Sequence, residues 1–225
     1  MRGFHYALLA GAAVFAGTSA QAATTITFGD GTGGLSVGET LYADFNSGLS
    51  SYGGVSGSNY LVMSGNVGGV GADPAVGDQG DPYISVGATG SGIATFNFAG
   101  SPGGGLSQLG LDYGSADLYN SFILHLSNNT TETYTGQQVI DIGAADGNQS
   151  ASNTNGRLTF KTDPGIFITS FDLTSTSAAL EADNLGVISA VPEPSTWGLM
   201  LFGFGAMGMS LRRRRRSLPS LAQAV

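Results

Sequence analysis

The sequence predicts an all-β protein: a single antiparallel β-sandwich or jelly-roll-like ectodomain between two terminal signals. Glycine makes up 37 of the 225 residues, more than twice the roughly 7% of average proteins. Between residues 23 and 190, β-branched and aromatic runs alternate with short clusters of turn residues. That span has no helical periodicity, linker or internal repeat. We therefore expect one domain from 23 to 190.

Twelve segments have the composition and length of strands. They are Thr24–Phe28, Leu41–Phe45, Tyr60–Met63, Tyr83–Val86, Ile93–Phe98, Leu106–Tyr113, Ser121–Ser127, Thr131–Tyr134, Gln138–Ile142, Arg157–Lys161, Ile166–Thr174 and Leu180–Ser189. In two of them, alternate large apolar residues share one face, which predicts that they form the core. These residues are Phe122, Leu124 and Leu126 in one strand, and Phe167, Phe171 and Leu173 in another.

Composition excludes several classes of protein. There is no cysteine, so disulfides, thiolate zinc sites and cysteine nucleophiles are excluded. Residues 23–190 contain 15 acidic and 2 basic residues, Arg157 and Lys161, which gives a net charge of 2 − 15 = −13. This charge argues against nucleic acid as a partner. The other basic residues are Arg2 and Arg212–Arg216, at the two ends, so the middle and the ends are expected in different compartments.

Residues 1–22 have the pattern of a signal peptide. Arg2 supplies the charged start, and an apolar run from Tyr6 to Ala16 follows. The run is too short to span a bilayer. Ala20 and Ala22 are the small residues of an A-x-A cleavage site, so cleavage is expected after Ala22.

Residues 191–216 form a second signal in three parts. Pro192, Glu193 and Pro194 come first, an uncharged apolar run from Trp197 to Leu211 follows, and five arginines, Arg212, Arg213, Arg214, Arg215 and Arg216, end it. The run would rise about 22 Å as a helix, against a bilayer core of roughly 30 Å. Flanking polar residues and a snorkelling arginine would extend it, so we expect a transmembrane helix at 196–211. The arginines would stay cytoplasmic, with 217–225 as a cytoplasmic tail.

This three-part end resembles the PEP-CTERM sorting domain of Gram-negative bacteria. With Trp197 it is similar to the PEPxxWA subtype, although Gly198 replaces the usual alanine. The resemblance implies an exosortase as partner. It also implies removal of the signal near Pro192–Pro194 and transfer of the ectodomain to the cell surface or an extracellular matrix.

A second, weaker resemblance covers residues 73–126. Tyr83–Gly87 and Tyr113–Asn120 are similar to the strands "Y-L-S-V" and "W-G-S-x-D-x-Y-N" of a group of exosortase-dependent surface proteins, with Tyr113 in the tryptophan position. Glu181–Leu185 resembles the "F-E-x-D-N" strand that precedes the signal in such proteins. No enzymatic activity is implied.

Acidic residues beside turns raise the question of a Ca²⁺ site. Asp112, Asp117 and Asp183 are the candidate ligands, since Ca²⁺ takes carboxylate and carbonyl oxygens. No complete EF-hand loop is present, and turn formation, in which the aspartate side chain bonds its own backbone, is the favoured explanation for aspartate beside glycine. Four tyrosines are candidates for a sugar-binding platform, although a position in the core or at its rim is the favoured interpretation for most of them. They are Tyr52, Tyr83, Tyr113 and Tyr119.

Motifs of catalysis are weak. Only His125 remains after signal removal, and its alternation with Leu124 and Leu126 places it opposite the core. Gly34–Gly38 matches G-x-S-x-G, but a nucleophile elbow needs a helix after the serine, and β-like sequence follows. A G-x-G-x-x-G match at Gly203–Gly208 lies inside the apolar run. Paired carboxylates for glycoside hydrolysis cannot be identified from sequence spacing.

The sequence thus predicts a non-enzymatic protein that is exported across the inner membrane of a Gram-negative bacterium. It would be a single-pass membrane precursor first and a surface or biofilm-matrix protein afterwards, with exopolysaccharide as a candidate partner. The alternative is a Ca²⁺- or carbohydrate-binding module on the same scaffold, and a secreted hydrolase is the least favoured reading. No cofactor other than this Ca²⁺ is expected.

Overall fold

The computed structural model describes residues 23–30, 34–48, 54–74, 80–114, 117–142, 155–190 and 194–216. In this part of the chain, twelve strands, two α-helices and one 3-10 turn (Pro102–Gly104) follow one another. The strands and helices are β1 (Thr24–Asp30), β2 (Thr40–Ala43), β3 (Ser56–Ser58), β4 (Tyr60–Ser64), β5 (Pro82–Val86), β6 (Gly92–Asn97), β7 (Leu106–Gly114), β8 (Asn120–Leu126), β9 (Thr131–Thr135), α1 (Gly136–Asp141), β10 (Asn155–Thr162), β11 (Ile168–Ser175), β12 (Leu180–Ser189) and α2 (Pro194–Arg216).

The strands form two antiparallel layers. The first has the order β1-β10-β7-β12-β5-β4, with β2 beside the second half of β12. The second has the order β9-β8-β11-β6-β3. Ile168 of β11 pairs with Leu106 of β7, so the two layers belong to one continuous sheet. The all-β, antiparallel prediction is confirmed, and the arrangement is sandwich-like.

An aromatic core lies between the layers. The ring of Phe122 in β8 lies 5.0 Å from that of Tyr113 in β7 and 5.8 Å from that of Phe160 in β10. Phe171 of β11 lies 5.5 Å from Phe160. All four side chains are fully buried, and edge-to-face or tilted pairs at this spacing are favourable beyond the area that they bury. The predicted core face of β8 is confirmed.

The prediction for β11 is wrong at one residue. Phe167 is only half-buried, and the neighbouring Ile168 is fully buried instead. The pairing of β11 with β8 shifts register between Ile168 and Ser170. A bulge of this kind adds one residue to a strand, so strict alternation fails across it. Ile168 and Phe171 therefore face the same side although three positions separate them.

The predicted strand Gln138–Ile142 is also wrong, because this segment forms α1. Thr135 caps the helix: its side chain accepts from the Gln138 N–H, and the Gln138 side chain accepts from the Thr135 N–H at 2.9 Å. This capping box satisfies two amides that a helix start leaves unpaired. The helix contains one fully buried apolar side chain, Val139. Helical periodicity is recognised from apolar residues that recur every three or four positions, so a helix this short shows none.

The remaining eleven predicted strands each overlap an observed strand. Strand β3, whose three residues are Ser-Gly-Ser, is not among the predicted strands. Its backbone pairs with β6, and a Cβ at Gly57 would lie 2.1 Å from the Ile93 carbonyl oxygen. Glycine is required there because the two backbones approach so closely.

We expect Phe171→Ala to lower the free energy of unfolding by about 3–5 kcal/mol, since it opens a cavity among buried rings. Phe167→Ala removes the same atoms from a half-buried position and should cost about 1 kcal/mol. Urea unfolding of both variants measures the difference. Equal costs would contradict the register shift at the start of β11.

Candidate functional site

The outer face of the first layer is polar and is covered by two loops. In β7, Asp112 and Gly110 alternate with buried core residues and therefore lie on the outer face. Tyr83 and Ser85 do the same in β5. The covering loops are residues 34–39 and residues 65–73, and each is fixed to the strands below by hydrogen bonds.

A buried ion cluster holds the first loop. Arg157 of β10 donates to Glu39 from Nε at 2.9 Å and from Nη2 at 2.5 Å, and to Asp112 from Nη1 at 2.9 Å. The second oxygen of Asp112 accepts from the Gly34 N–H and from the Asn184 amide, both at 3.0 Å. Burial raises the pKa of the Asp112 carboxyl, and the hydrogen bond from Gly34 and the positive charge of Arg157 oppose the rise.

Two glycines make room for this cluster. Gly110 of β7 and Gly186 of β12 are register partners. A Cβ at Gly110 would lie 2.4 Å from Glu39 Oε1, and one at Gly186 would lie 2.5 Å from Arg157 Nη2. A side chain at either position would displace the guanidinium or its carboxylate partner. The ion cluster therefore requires glycine at both positions.

A cleft of about 190 Å³ lies beneath the second loop. Asn66–Gly71 form one wall, and Asp117, Tyr119, Ala178 and Glu181 contribute to the rest. The loop is held on β5: the Tyr83 hydroxyl donates to the Gly65 carbonyl at 2.9 Å, and the Ser85 hydroxyl donates to the Val70 carbonyl at 2.8 Å.

Two acidic side chains and one tyrosine supply the chemistry of the cleft. The Tyr119 hydroxyl lies 2.6 Å from Asp117 Oδ2 and 3.0 Å from the Ala178 carbonyl oxygen. Glu181 of β12 is 6% exposed, and its Oε1 accepts from the Ala72 N–H at 3.1 Å. Burial, reinforced by the negative charge of Asp117, raises the pKa of Glu181 to about 8. Glu181 is therefore mostly protonated at neutral pH.

The sheet brings two of the three predicted Ca²⁺ ligands side by side, because Asp112 and Asp183 are register partners in β7 and β12, but each of the three carboxylates has other partners. Asp112 is committed to Arg157 and Asn184, Asp117 lies at the cleft beside Tyr119, and Asp183 accepts from the backbone N–H of Asn184 at 2.7 Å. Within the described residues, no three acidic or histidine side chains are grouped closely enough to hold a metal ion. The acidic residues form an ion cluster and a cleft instead.

Two of the four candidate platform tyrosines lie in the core, which is the position that the sequence favoured for most of them. Tyr83 and Tyr113 are fully buried, and the hydroxyl of Tyr113 accepts from the Asn120 amide at 3.0 Å. Tyr52 lies outside the described residues. Of these four tyrosines, Tyr119 is the one that belongs to the described lining of the cleft.

His125 lies on the outer face of the second layer, as predicted. Its Nε2 is 2.9 Å from Asp172 Oδ2, and its Nδ1 is 3.4 Å from the Thr131 hydroxyl. The segment Gly34–Gly38 is a turn, in which the Ser36 carbonyl accepts from the Glu39 N–H. Because Glu39 belongs to the ion cluster, this turn is a structural element and the G-x-S-x-G match has no elbow geometry.

Helix α2 contains the apolar run and begins at Pro194. Its large apolar side chains from Trp197 to Leu211 are 52–78% exposed. In the described part of the chain, no helix combines the length and the apolarity that crossing a membrane requires, so the predicted span 196–211 is not confirmed. Pro192, Glu193, the signal peptide 1–22 with Ala20 and Ala22, and the tail 217–225 lie outside the described residues, as do the side chains of Arg213–Arg216.

The family model for the PEP-CTERM protein-sorting motif matches residues 190–216. The chain carries a PEP-CTERM signal. Such a signal implies export and exosortase-dependent sorting to the cell surface in Gram-negative bacteria, as the resemblance indicated. The PEP-CTERM match covers the C-terminal end and leaves the β domain unassigned.

Comparisons of the whole chain add little to the PEP-CTERM match. No curated protein matches the chain. A solved structure of TmCBM61 in complex with β-1,4-galactotriose is similar with a TM-score of 0.35 and 12% identity, over 67% of this chain and 99% of that one. A similarity at this level assigns neither ligand nor function to the β domain.

Sequence reasoning missed the roles of Arg157, Glu39 and Glu181. A signal existed for Arg157, since a buried carboxylate needs a cation and the domain 23–190 contains only two basic residues. Glu181 was part of the quoted "F-E-x-D-N" resemblance, but nothing in its spacing showed that it would face a cleft.

We expect Arg157→Met to lower the free energy of unfolding by about 3–5 kcal/mol, because it leaves two buried carboxylates without their cation. Lys161→Met is the matched control. Lys161 is the other basic residue of the domain, lies on the same strand and is exposed, so its replacement should change stability by about 0.5 kcal/mol or less. Urea unfolding measures both, and equal effects would contradict the cluster.

Glu181 should make stability depend on pH. Its folded pKa of about 8 lies above the value near 4.3 of an unfolded chain, so the folded state binds the extra proton. Stability is then lost as pH rises from about 4 to 8, by roughly 3–5 kcal/mol in total. Glu181→Gln should abolish this loss, and Asp141→Asn, at the exposed end of α1, should leave it unchanged. Thermal melting across this pH range tests the expectation.

Proposed function

We propose that the protein is a non-enzymatic component of the cell surface or extracellular matrix, delivered there as a folded β-sandwich or jelly-roll-like domain. The PEP-CTERM signal carries this proposal. The precursor would be held at the inner membrane by residues 196–211 until an exosortase removes the signal near Pro192–Pro194. Exopolysaccharide is the partner that we propose for the released domain.

The end of the β domain supports removal of the signal at this place. The N–H of Ala190 donates to the Gly105 carbonyl at 2.9 Å, and Ala190 is fully buried. A Cβ at Gly103 would lie 2.1 Å from the Ala190 carbonyl oxygen, so the 3-10 turn packs directly on this residue. Cleavage at Pro192–Pro194 would therefore remove no strand and no core residue.

The surface chemistry of the domain also suits an exterior role. Its net charge of −13 between residues 23 and 190 favours solubility. The absence of cysteine from the whole sequence leaves its folding independent of an oxidising compartment.

Mass spectrometry of the protein from its native host tests the proposal at both termini. We expect a mature N-terminus at Ala23 and a C-terminus within or just before Pro192–Pro194. A C-terminus at Val225 would contradict processing.

A pair of variants separates recognition of the motif from general effects on the precursor. Glu193→Ala should leave an uncut precursor in the membrane fraction, because it changes the centre of the Pro-Glu-Pro motif. Ser195→Ala changes the adjacent variable position and should be processed normally. Immunoblots of membrane and extracellular fractions distinguish the two, and normal processing of Glu193→Ala would count against recognition of the motif.

A further inference from the structure

The cleft beneath residues 65–73 has the features of a built binding site. Glu181 is 6% exposed and lines this open cleft. Its carboxyl accepts from the backbone N–H of Ala72, at 3.1 Å, and from its own backbone N–H. A carboxyl group can take part in more hydrogen bonds than these two, so a ligand hydroxyl or a water molecule in the cleft can still bind to it.

The polar groups of the cleft favour a neutral ligand over an ion. Asp117 offers a carboxylate acceptor, and Glu181, protonated at neutral pH, offers one donor and one acceptor. An anion would meet the charge of Asp117 with no cation in the described lining to compensate it. A divalent cation would require more oxygen ligands than two side chains provide, and the described residues contain no metal-binding group of three. Sugar hydroxyls both donate and accept, so they match this set of groups.

The size of the cleft limits the ligand to about one sugar ring. Its volume of about 190 Å³ equals that of about six water molecules and is below the 300–1,000 Å³ of typical drug-sized pockets. Tyr119 is the aromatic residue of the described lining, and its ring is an apolar surface for the C–H face of a sugar. On the opposite wall, Gly68 and Gly69 would have open space around a Cβ, so backbone groups there are accessible.

We propose that this cleft binds one neutral sugar unit, with Asp117 and Glu181 hydrogen-bonded to its hydroxyls and Tyr119 packed against its ring. This inference rests on the proposed function in one respect only: the proposed location, at the cell surface or in the matrix, is where the domain would encounter a sugar. The geometry of the cleft is independent of export. The purified protein can therefore fail to bind a sugar even if its sorting signal is removed normally in the host. Equally, it can bind a sugar even if the signal is not removed.

The experiment is saturation-transfer NMR and titration calorimetry on the full-length chain, kept in solution with a detergent that contains no sugar. The probes are a panel of neutral monosaccharides and their oligosaccharides, with calcium chloride alone and a diamine as cation arms. We expect at least one sugar to bind with a dissociation constant at or below the millimolar range. Calcium and the diamine should give no heat.

Variants then place the binding in the cleft. Asp117→Asn and Tyr119→Leu should each weaken sugar binding by about tenfold or more, because each removes a contact to the ligand. Asp141→Asn, outside the cleft, should bind normally. Thermal melting confirms that each variant is folded, and if either cleft variant is unfolded, the other tests the site by itself.

Three outcomes would overturn the proposal. The first is that no sugar in the panel binds. The second is sugar binding that Asp117→Asn and Tyr119→Leu leave unchanged, which would put the site elsewhere. The third is calcium or diamine binding that Asp117→Asn abolishes, since the cleft would then be a cation site.

Discussion

Arg157 is the one buried cation of the described β domain. The way in which the domain compensates its buried carboxylates depends on this shortage of positive charge. A buried ionised carboxylate is tolerated only when it is paired or fully hydrogen-bonded. Arg157 compensates Glu39 and Asp112 at once, which connects β10 and β7 to the loop 34–39. Because no second cation is available on this face, the remaining acidic residues must be accommodated in other ways.

Glu181 is accommodated by protonation, and this distinguishes the cleft from the ion cluster. Asp112 and Glu181 both lie on the outer face of the first layer, on the paired strands β7 and β12. Asp112 has a guanidinium and two further hydrogen-bond donors around it, whereas Glu181 has no cation beside it, only backbone N–H donors and the negative charge of Asp117. The same sheet face therefore holds a closed cluster of paired charges at one end and, at the other, an open cleft in which Asp117 is charged and Glu181 is protonated. The first is suited to stabilising a loop, and the second is suited to a polar neutral ligand.

The sequence predicted the β architecture well because strand composition and turn residues are local signals. Eleven strands could be recognised in this way, and the face of Phe122 followed from alternation alone. The failures have physical reasons that are not local. Phe167 was misplaced by a bulge whose position depends on pairing with β8, and β3 is a strand only because β6 lies beside it. The helix α1 depends on a capping box at Thr135 and on the space at Gly136, where a Cβ would lie 1.9 Å from the Asp117 carbonyl oxygen.

The sites show the same division between local and non-local information. The PEP-CTERM signal is contiguous in the sequence, so its residues could be identified without any structure. The cleft combines residues 66–71, 117–119 and 178–181, which are brought together only by the sheet. Acidic residues beside turns suggested a Ca²⁺ site, but their partners are set by which strand each one faces. Asp112 meets Arg157 across the β7–β10 pair, a contact that no spacing in the sequence expresses.

Strand β12 links the β domain to the PEP-CTERM signal and constrains the order of events. It is a central strand, paired with β7 on one side and with β5 and β2 on the other, and it also contributes Glu181 to the cleft. Pro194 is four residues after Ala190, which is buried and hydrogen-bonded to Gly105. The distance between Ala190 and Pro194 is therefore at most about 14 Å. If the domain folds before processing, an exosortase must therefore act within this distance of the folded surface. Cleavage any further towards the N-terminus would cut into the strand that carries both the core and the cleft, so the short segment after Ala190 is where separation leaves the domain intact.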